Sequence, residues 1–153
     1  MSQKQWGNIT WILFHSLAES VNPNYFNQAK PLILNFINLT CQNLPCPICS
    51  DHAKTTLSKA FINEINSKAD LIEFLRQFHN IVNIQTDKPI VNKEEVIKIY
   101  KRPKLNEIIN KFIDIYSVSY GNFNVSAMVR SNNRNIFIKN SKNLLKEICN
   151  YCI

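Results

Sequence analysis

Five cysteines stand in this chain, and four of them form two C-x-x-C pairs, Cys46 with Cys49 and Cys149 with Cys152. Such a pair closes a small, reducible disulfide or supplies half of a tetrahedral zinc site. The first pair sits in Leu44-Pro45-Cys46-Pro47-Ile48-Cys49. Proline suits the first position of a helix, so a helix is predicted to start at Cys46 and to carry Cys49 in its first turn. Unpaired backbone N–H groups and the helix dipole favour a thiolate there. A thioredoxin-type site is disfavoured, because that motif follows a β-strand and the pattern preceding Cys46 is helical.

Gly7, Trp11 and His15 are spaced four apart, so one helical stripe offers a gap without a side chain, an indole and an imidazole. His79 and Asn83 repeat the spacing further on, with Asn80 and Val82 beside them. Each of these alone is also what a core tryptophan or a satisfied buried histidine looks like. Together, next to a redox-capable pair, they suggest a planar heteroaromatic cofactor between two helices, and a flavin fits. The chain contains two glycines, Gly7 and Gly121, which excludes a Rossmann fingerprint and a P-loop, since both need several closely spaced glycines.

The elements that must position these groups are helical almost throughout, and the fold class is all-α. Trp6, Ile9, Leu13, Leu17 and Val21 mark a helix over roughly residues 4–21. A second, with Leu32, Ile33, Phe36, Ile37 and Leu39, runs to about Asn43, with Pro31 in its first turn or kinking it. The third runs from Cys46 to about Ala60. Ser67 with Asp70 resembles a capping box that opens a fourth helix carrying Leu71, Leu75, Phe78 and Val82, and Asn92 with Glu95 opens a short fifth. Leu105, Ile108, Ile109, Phe112, Ile113 and Tyr116 make a sixth. Residues 117–140 read as a polar Ser/Asn-rich loop containing a short strand at Ile136-Phe137-Ile138, and a last short helix from Ser141 to about Asn150 delivers Cys149 and Cys152.

At 153 residues, 45% apolar and 19% charged, the chain fits one compact domain with an appendage and excludes wholesale disorder. The net charge of +7 is uneven: residues 1–100 carry 9 Lys/Arg against 8 Asp/Glu, residues 101–153 carry 9 against 3. The C-terminal third is thus an electrostatic handle for an acidic partner or a solubilising tail. No groove-reading motif accompanies it, so no specific nucleic-acid partner is expected. No apolar window long enough for a membrane span and no signal-peptide pattern occur, which predicts a soluble protein made in a cytosolic compartment.

These residues resemble the Erv/ALR family of FAD-dependent sulfhydryl oxidases over about residues 5–101. The likeness is carried by Trp6-Gly7, Trp11 and His15; by Leu44-Pro45-Cys46, Cys49 and His52; by His79-Asn80, Val82 and Asn83 with Lys88-Pro89; and by Tyr100-Lys101. The resemblance implies a four-helix bundle holding FAD with a short fifth helix across it, and a homodimer. The domain would span 1–102, followed by a basic extension, 103–153. It further implies that Gly7, Trp11, His15, His52, His79, Asn80, Val82 and Asn83 contact the cofactor and that Lys88, Tyr100 and Lys101 flank its other end. Leu44 stands where many members carry Tyr, and residues 104–148 match no family motif.

By the same resemblance Cys46 takes the attack of an incoming thiolate and Cys49 contacts the flavin, for the reaction 2 R–SH + O2 → R–S–S–R + H2O2. Cys149 and Cys152 would be a shuttle disulfide on a mobile basic arm. Partners would be thiol-bearing protein substrates or a thioredoxin-like relay protein. The expected setting is the host cytoplasm or virion of a large cytoplasmic DNA virus, with the mitochondrial intermembrane space as the alternative. No metal is expected. The rival reading is a zinc-binding structural module using all four paired cysteines, although structural zinc pairs usually lie far closer in sequence. Cys41 is left over, as a free buried cysteine.

Overall fold

The first apolar stripe folds as α1, Gln3–Ser20, which buries Ile9, Leu13, Phe14, Leu17 and Ala18. The structure is a computed structural model that describes residues 3–118 and 125–153, with side chains for 4–118 and 132–153. A 3-10 turn, Pro23–Tyr25, capped by the Asn22 side chain, leads into α2, Phe26–Gln42. Pro31 lies in the second turn of α2 at an exposed position, and the helix runs on through it. Then come α3, Pro47–Ser58, α4, Lys68–Gln85, and α5, Lys93–Tyr100. Leu105–Tyr116 forms α6 and Val125–Cys149 forms α7.

The caps follow the sequence signals with one change. Asn92 and Glu95 close a complete capping box on α5. Ser67 Oγ accepts from the Asp70 N–H, but the Asp70 carboxylate accepts from Asn66 N–H, one residue before the cap.

Helix α1 is the hub, packing against α4, α5 and α6, while α2 packs on α3 and α7. Phe112 and Tyr116 of α6 and Phe137, Leu145 and Ile148 of α7 join the same buried cluster as Leu13, Phe14, Ile33 and Phe36. Rings carry the continuity: Phe14 meets Phe36 edge-on at 6.1 Å, Phe36 meets Phe112 at 5.7 Å, and Phe112 stacks on Tyr116 at 4.3 Å.

Two expectations for the C-terminal part are corrected. Ile136-Phe137-Ile138 is not a strand, and the last helix does not begin at Ser141: both belong to α7. Among the described side chains of α7, Phe137, Ile138, Ser141, Leu145 and Ile148 are the buried positions, a spacing of three to four that is helical. The polar Ser141 at a fully buried position interrupts that pattern in the sequence. Gly121, part of the expected loop, lies outside the described residues.

Nor is the chain end a detached arm. Cys152 pairs with Val21 as an antiparallel bridge, Asn22 N–H donates to Tyr151 O at 2.9 Å, and Ile153 N–H donates to Ser20 O at 2.8 Å. Backbone bonds thus fasten the terminus to the C-terminal end of α1. Among the described residues no helix is long and apolar enough to cross a membrane.

Candidate redox site

Cys46 and Cys49 are disulfide-bonded at the start of α3, each half-buried. Cys46 takes an extended conformation as the cap residue, and Pro47 follows at the first helical position. The Cys49 N–H donates to Cys46 Sγ at 3.2 Å. The Cys46 sulfur thus receives a helix-end N–H, where the sequence pointed to Cys49 as the favoured thiolate. Ser50, buried one position on, accepts from Leu44 N–H at 3.1 Å and so ties the approach to the pair onto α3.

Cys49 opens onto a cavity of about 180 Å³ between α1, α4 and the α2–α3 junction. Gly7, Thr10 and Trp11 wall it from α1, Phe78, His79, Val82 and Asn83 from α4, and Cys41, Leu44 and His52 from the junction, with Lys88 at its edge. A Cβ built at Gly7 would meet nothing within 4 Å, so the α1 backbone there faces open space. Trp11 stacks face to face on His79, centroids 4.0 Å apart and planes 5° apart, with Phe78 edge-on at 5.1 Å.

Behind this stack, His15 Nε2 and His79 Nδ1 share a hydrogen bond of 2.9 Å, and Tyr100 stacks on His15 at 4.6 Å. Burial, reinforced by neighbouring His79, holds His15 down at about 3. Burial, with the charge of Lys88, holds His79 at about 4. Both rings are thus neutral at neutral pH, and one donates while the other accepts. Burial pushes the Cys41 thiol up to about 12.

A family model described as the Erv1/Alr family matches residues 8–104, well over half the chain. The chain belongs to the Erv1/Alr family. It is 33% identical over 107 residues to the FAD-linked sulfhydryl oxidase of African swine fever virus (isolate Tick/Malawi/Lil 20-1/1983), covering 67% of this chain and 86% of that one. A protein of Invertebrate iridescent virus 3, provisionally named an FAD-linked sulfhydryl oxidase, is 33% identical over 101 residues, covering 65% of this chain and 68% of its own. The FAD-linked sulfhydryl oxidase ERV1 of Oryza sativa subsp. japonica is 28% identical over 90 residues, covering 59% of this chain and 46% of its own. No solved structure matches the chain.

Of the residues singled out by the Erv1/Alr resemblance, Gly7, Trp11, Cys49, His52, His79, Val82, Asn83 and Lys88 line one cavity. His15 and Tyr100 stand behind its wall. Asn80 is spent elsewhere: its side chain donates to Val91 O at 2.9 Å and accepts from Val91 N–H at 2.8 Å. With Asn83 Nδ2 donating to Pro89 O, and Lys88 N–H to Asn83 O, Asn80 fastens to α4 the segment that presents Lys88. Lys101 is exposed and lies outside the cavity lining. Thr10, Cys41 and Phe78 line the cavity without having been singled out. The available signal was spacing, since Thr10 lies three after Gly7 and Phe78 four before Val82 on the same helical faces.

The second pair is elsewhere. Cys149 and Cys152 are free, half-buried thiols, and burial raises both, Cys152 to about 11. Ten residues of helix separate Trp11 from Val21, the partner of Cys152, or roughly 15 Å at ~1.5 Å per residue. The four thiolates of a zinc site are not gathered, and among the described residues no cluster of three His, Cys, Asp or Glu could hold a metal. A larger groove of about 590 Å³ between α3 and α4 shares His52 and Phe78 with the cavity, but no cysteine lines it, so the redox chemistry belongs to the smaller space.

Proposed function

We infer that this Erv1/Alr chain is an FAD-dependent sulfhydryl oxidase, making disulfides by 2 R–SH + O2 → R–S–S–R + H2O2. The observation that carries the reading is the Cys46–Cys49 disulfide with Cys49 opening onto a cavity walled by flat rings. The residues fit the cofactor's ring system: the backbone at Gly7 is open, the Trp11 and His79 planes are aligned, and the buried histidines bring no charge into the wall. Gly7, Trp11, His52, His79, Val82 and Asn83 would hold FAD, with Lys88, which also lines the cavity, as a cation for its phosphates. When bound, FAD supplies the two-electron chemistry that ends in reduction of dioxygen to hydrogen peroxide.

The chain's own residues perform the exchange. A substrate thiolate attacks Cys46 Sγ, forming a mixed disulfide while the Cys46–Cys49 bond breaks and Cys49 leaves as a thiolate. A second substrate thiolate attacks the substrate sulfur of the mixed disulfide, releasing R–S–S–R and Cys46 as a thiolate. That leaving thiolate is stabilised by the Cys49 N–H and the positive end of α3. The dithiol holds the electron pair on the cavity side, at Cys49. His15 and His79, both neutral, keep the wall behind it rigid through their shared hydrogen bond.

The substrates are thiol-bearing proteins, taken directly or through a thioredoxin-like relay protein. A homodimer is proposed with them, and the docked tail supports joining the two ideas. Cys152 is bridged to Val21, at the opposite end of α1 from the cavity-lining Gly7 and Trp11, so the tail of a second copy is proposed as the one that reaches Cys46. The host cytoplasm or virion is proposed as the place of work, with the mitochondrial intermembrane space as the alternative.

Absorption spectroscopy tests the function. Purified protein is expected to be yellow, with about one FAD per chain. Cys46→Ser should show an added broad long-wavelength band from the Cys49 thiolate beside the oxidised ring, and Cys49→Ser should lack it. A colourless protein refutes the oxidase reading; the band in Cys49→Ser reverses the two cysteines.

A further inference from the structure

Tyr116 ends α6 and is 1% exposed, in the segment that begins just after the matched residues 8–104. Its hydroxyl lies 2.6 Å from Thr10 Oγ1, and Thr10 walls the cavity between Gly7 and Trp11. Thr10 Oγ1 is also 2.6 Å from the Trp6 carbonyl oxygen, one turn back on α1. A carbonyl only accepts, so the single Thr10 proton goes to Trp6, and the Tyr116 hydroxyl must be the donor to Thr10. The Thr10 hydroxyl is therefore held from two sides, by its own helix and by α6.

The ring of Tyr116 is fixed in turn, stacked on Phe112 at 4.3 Å and tilted against Phe137 at 5.6 Å. Phenylalanine would make the same ring contacts. What the hydroxyl adds is a directed bond to a residue of the cavity wall, and a buried phenol is costly to place without partners.

We propose that Tyr116 is a positioning residue of the flavin site: through Thr10 it fixes the α1 wall that carries Gly7 and Trp11, so helix α6 helps set how tightly FAD is held. This rests on the FAD reading above. The group acts through Thr10 and touches no reacting atom, so the expected effect is on cofactor retention more than on the disulfide chemistry.

The test measures FAD release from purified holoenzyme as the gain in flavin fluorescence, for wild type, Tyr116→Phe, Thr10→Val and the double variant. Tyr116→Phe keeps the ring and removes only the hydroxyl. Losing one buried hydrogen bond is expected to speed release about fivefold. In the Thr10→Val background, where that acceptor is already gone, the same change should speed release by a much smaller factor, because the two residues act as one unit. A merely structural tyrosine would speed release by the same factor in both backgrounds, and that result overturns the proposal. So does release from Tyr116→Phe at the wild-type rate. A colourless wild type refutes the FAD reading itself, which separates the two failures.

Discussion

Replacing Phe112 with alanine asks whether α6 and α7 belong to the unit that holds the flavin. Phe112 is fully buried, with Phe36, Tyr116 and Phe137 around it at 5.7, 4.3 and 6.4 Å. Truncating a fully buried phenylalanine costs about 3–5 kcal/mol in lost transfer energy and cavity formation. For a chain of this size each kcal/mol moves the melting temperature by roughly 2–4 °C, so a loss of about 4 kcal/mol lowers it by about 8–16 °C. Ile136, one turn before Asn140 on α7 and 59% exposed, is the control: Ile136→Ala should stay within about 0.5 kcal/mol, or 2 °C. Unfolding is followed twice, by far-UV circular dichroism and by the rise of flavin fluorescence. Because Phe112 shares one cluster with Leu13 and Phe14 of α1, both transitions should fall together. A flavin transition that stays in place while the far-UV signal falls, or a fall no larger than that of Ile136→Ala, would refute this account of the packing.

Stability should also decline on acidification for a definite reason. His15 and His79 are held at about 3 and 4 in the fold, against about 6.5 in the unfolded chain, so below pH 6.5 the unfolded state binds the extra protons. The contribution is complete above about pH 6.5 and is lost as pH falls toward 4 for His79 and toward 3 for His15. Melting temperatures from pH 7 to 4.5 should drop less steeply in His15→Gln than in wild type, and equal slopes would contradict the neutral pair. For the tail cysteines, the Cys149→Ser/Cys152→Ser variant should oxidise a small dithiol at the wild-type rate and a reduced unfolded protein far more slowly. Equal rates on both substrates would leave the pair a structural role.

The site was more legible than the C-terminal fold. Gly7, Trp11, His79 and Asn83 are spaced by helical turns, so side-chain direction follows from helix geometry alone and brings them to one space. Cys46 and Pro47 mark a helix start through local chemistry that no tertiary contact overrides. What sequence spacing cannot give is the partner across the fold. Asn80 lies on the same helix face as its neighbours, yet its amide is consumed by Val91, and only the path of the chain after α4 decides that. Helix α7 was hidden for another reason. Its buried face passes through Ser141, and its exposed positions include Asn132, Asn133, Asn135, Asn140 and Asn143, so composition reads as loop while burial follows the helical period.

Cys41 lies 2% exposed in the lining of the cavity that Cys49 shares. An oxidase built this way cycles a disulfide beside a third sulfur and makes peroxide in the same place, two invitations to scrambling and to sulfenic acid formation. Only a thiolate answers either of them. With its thiol near 12, Cys41 is ionised at neutral pH in roughly one molecule in 100,000, against a few in a hundred for an ordinary cysteine. The apolar surroundings that pack Cys41 into the core thereby slow its entry into exchange by about two orders of magnitude, once the greater nucleophilicity of a more basic thiolate is set against its scarcity, and so protect an odd cysteine next to the enzyme's own oxidant.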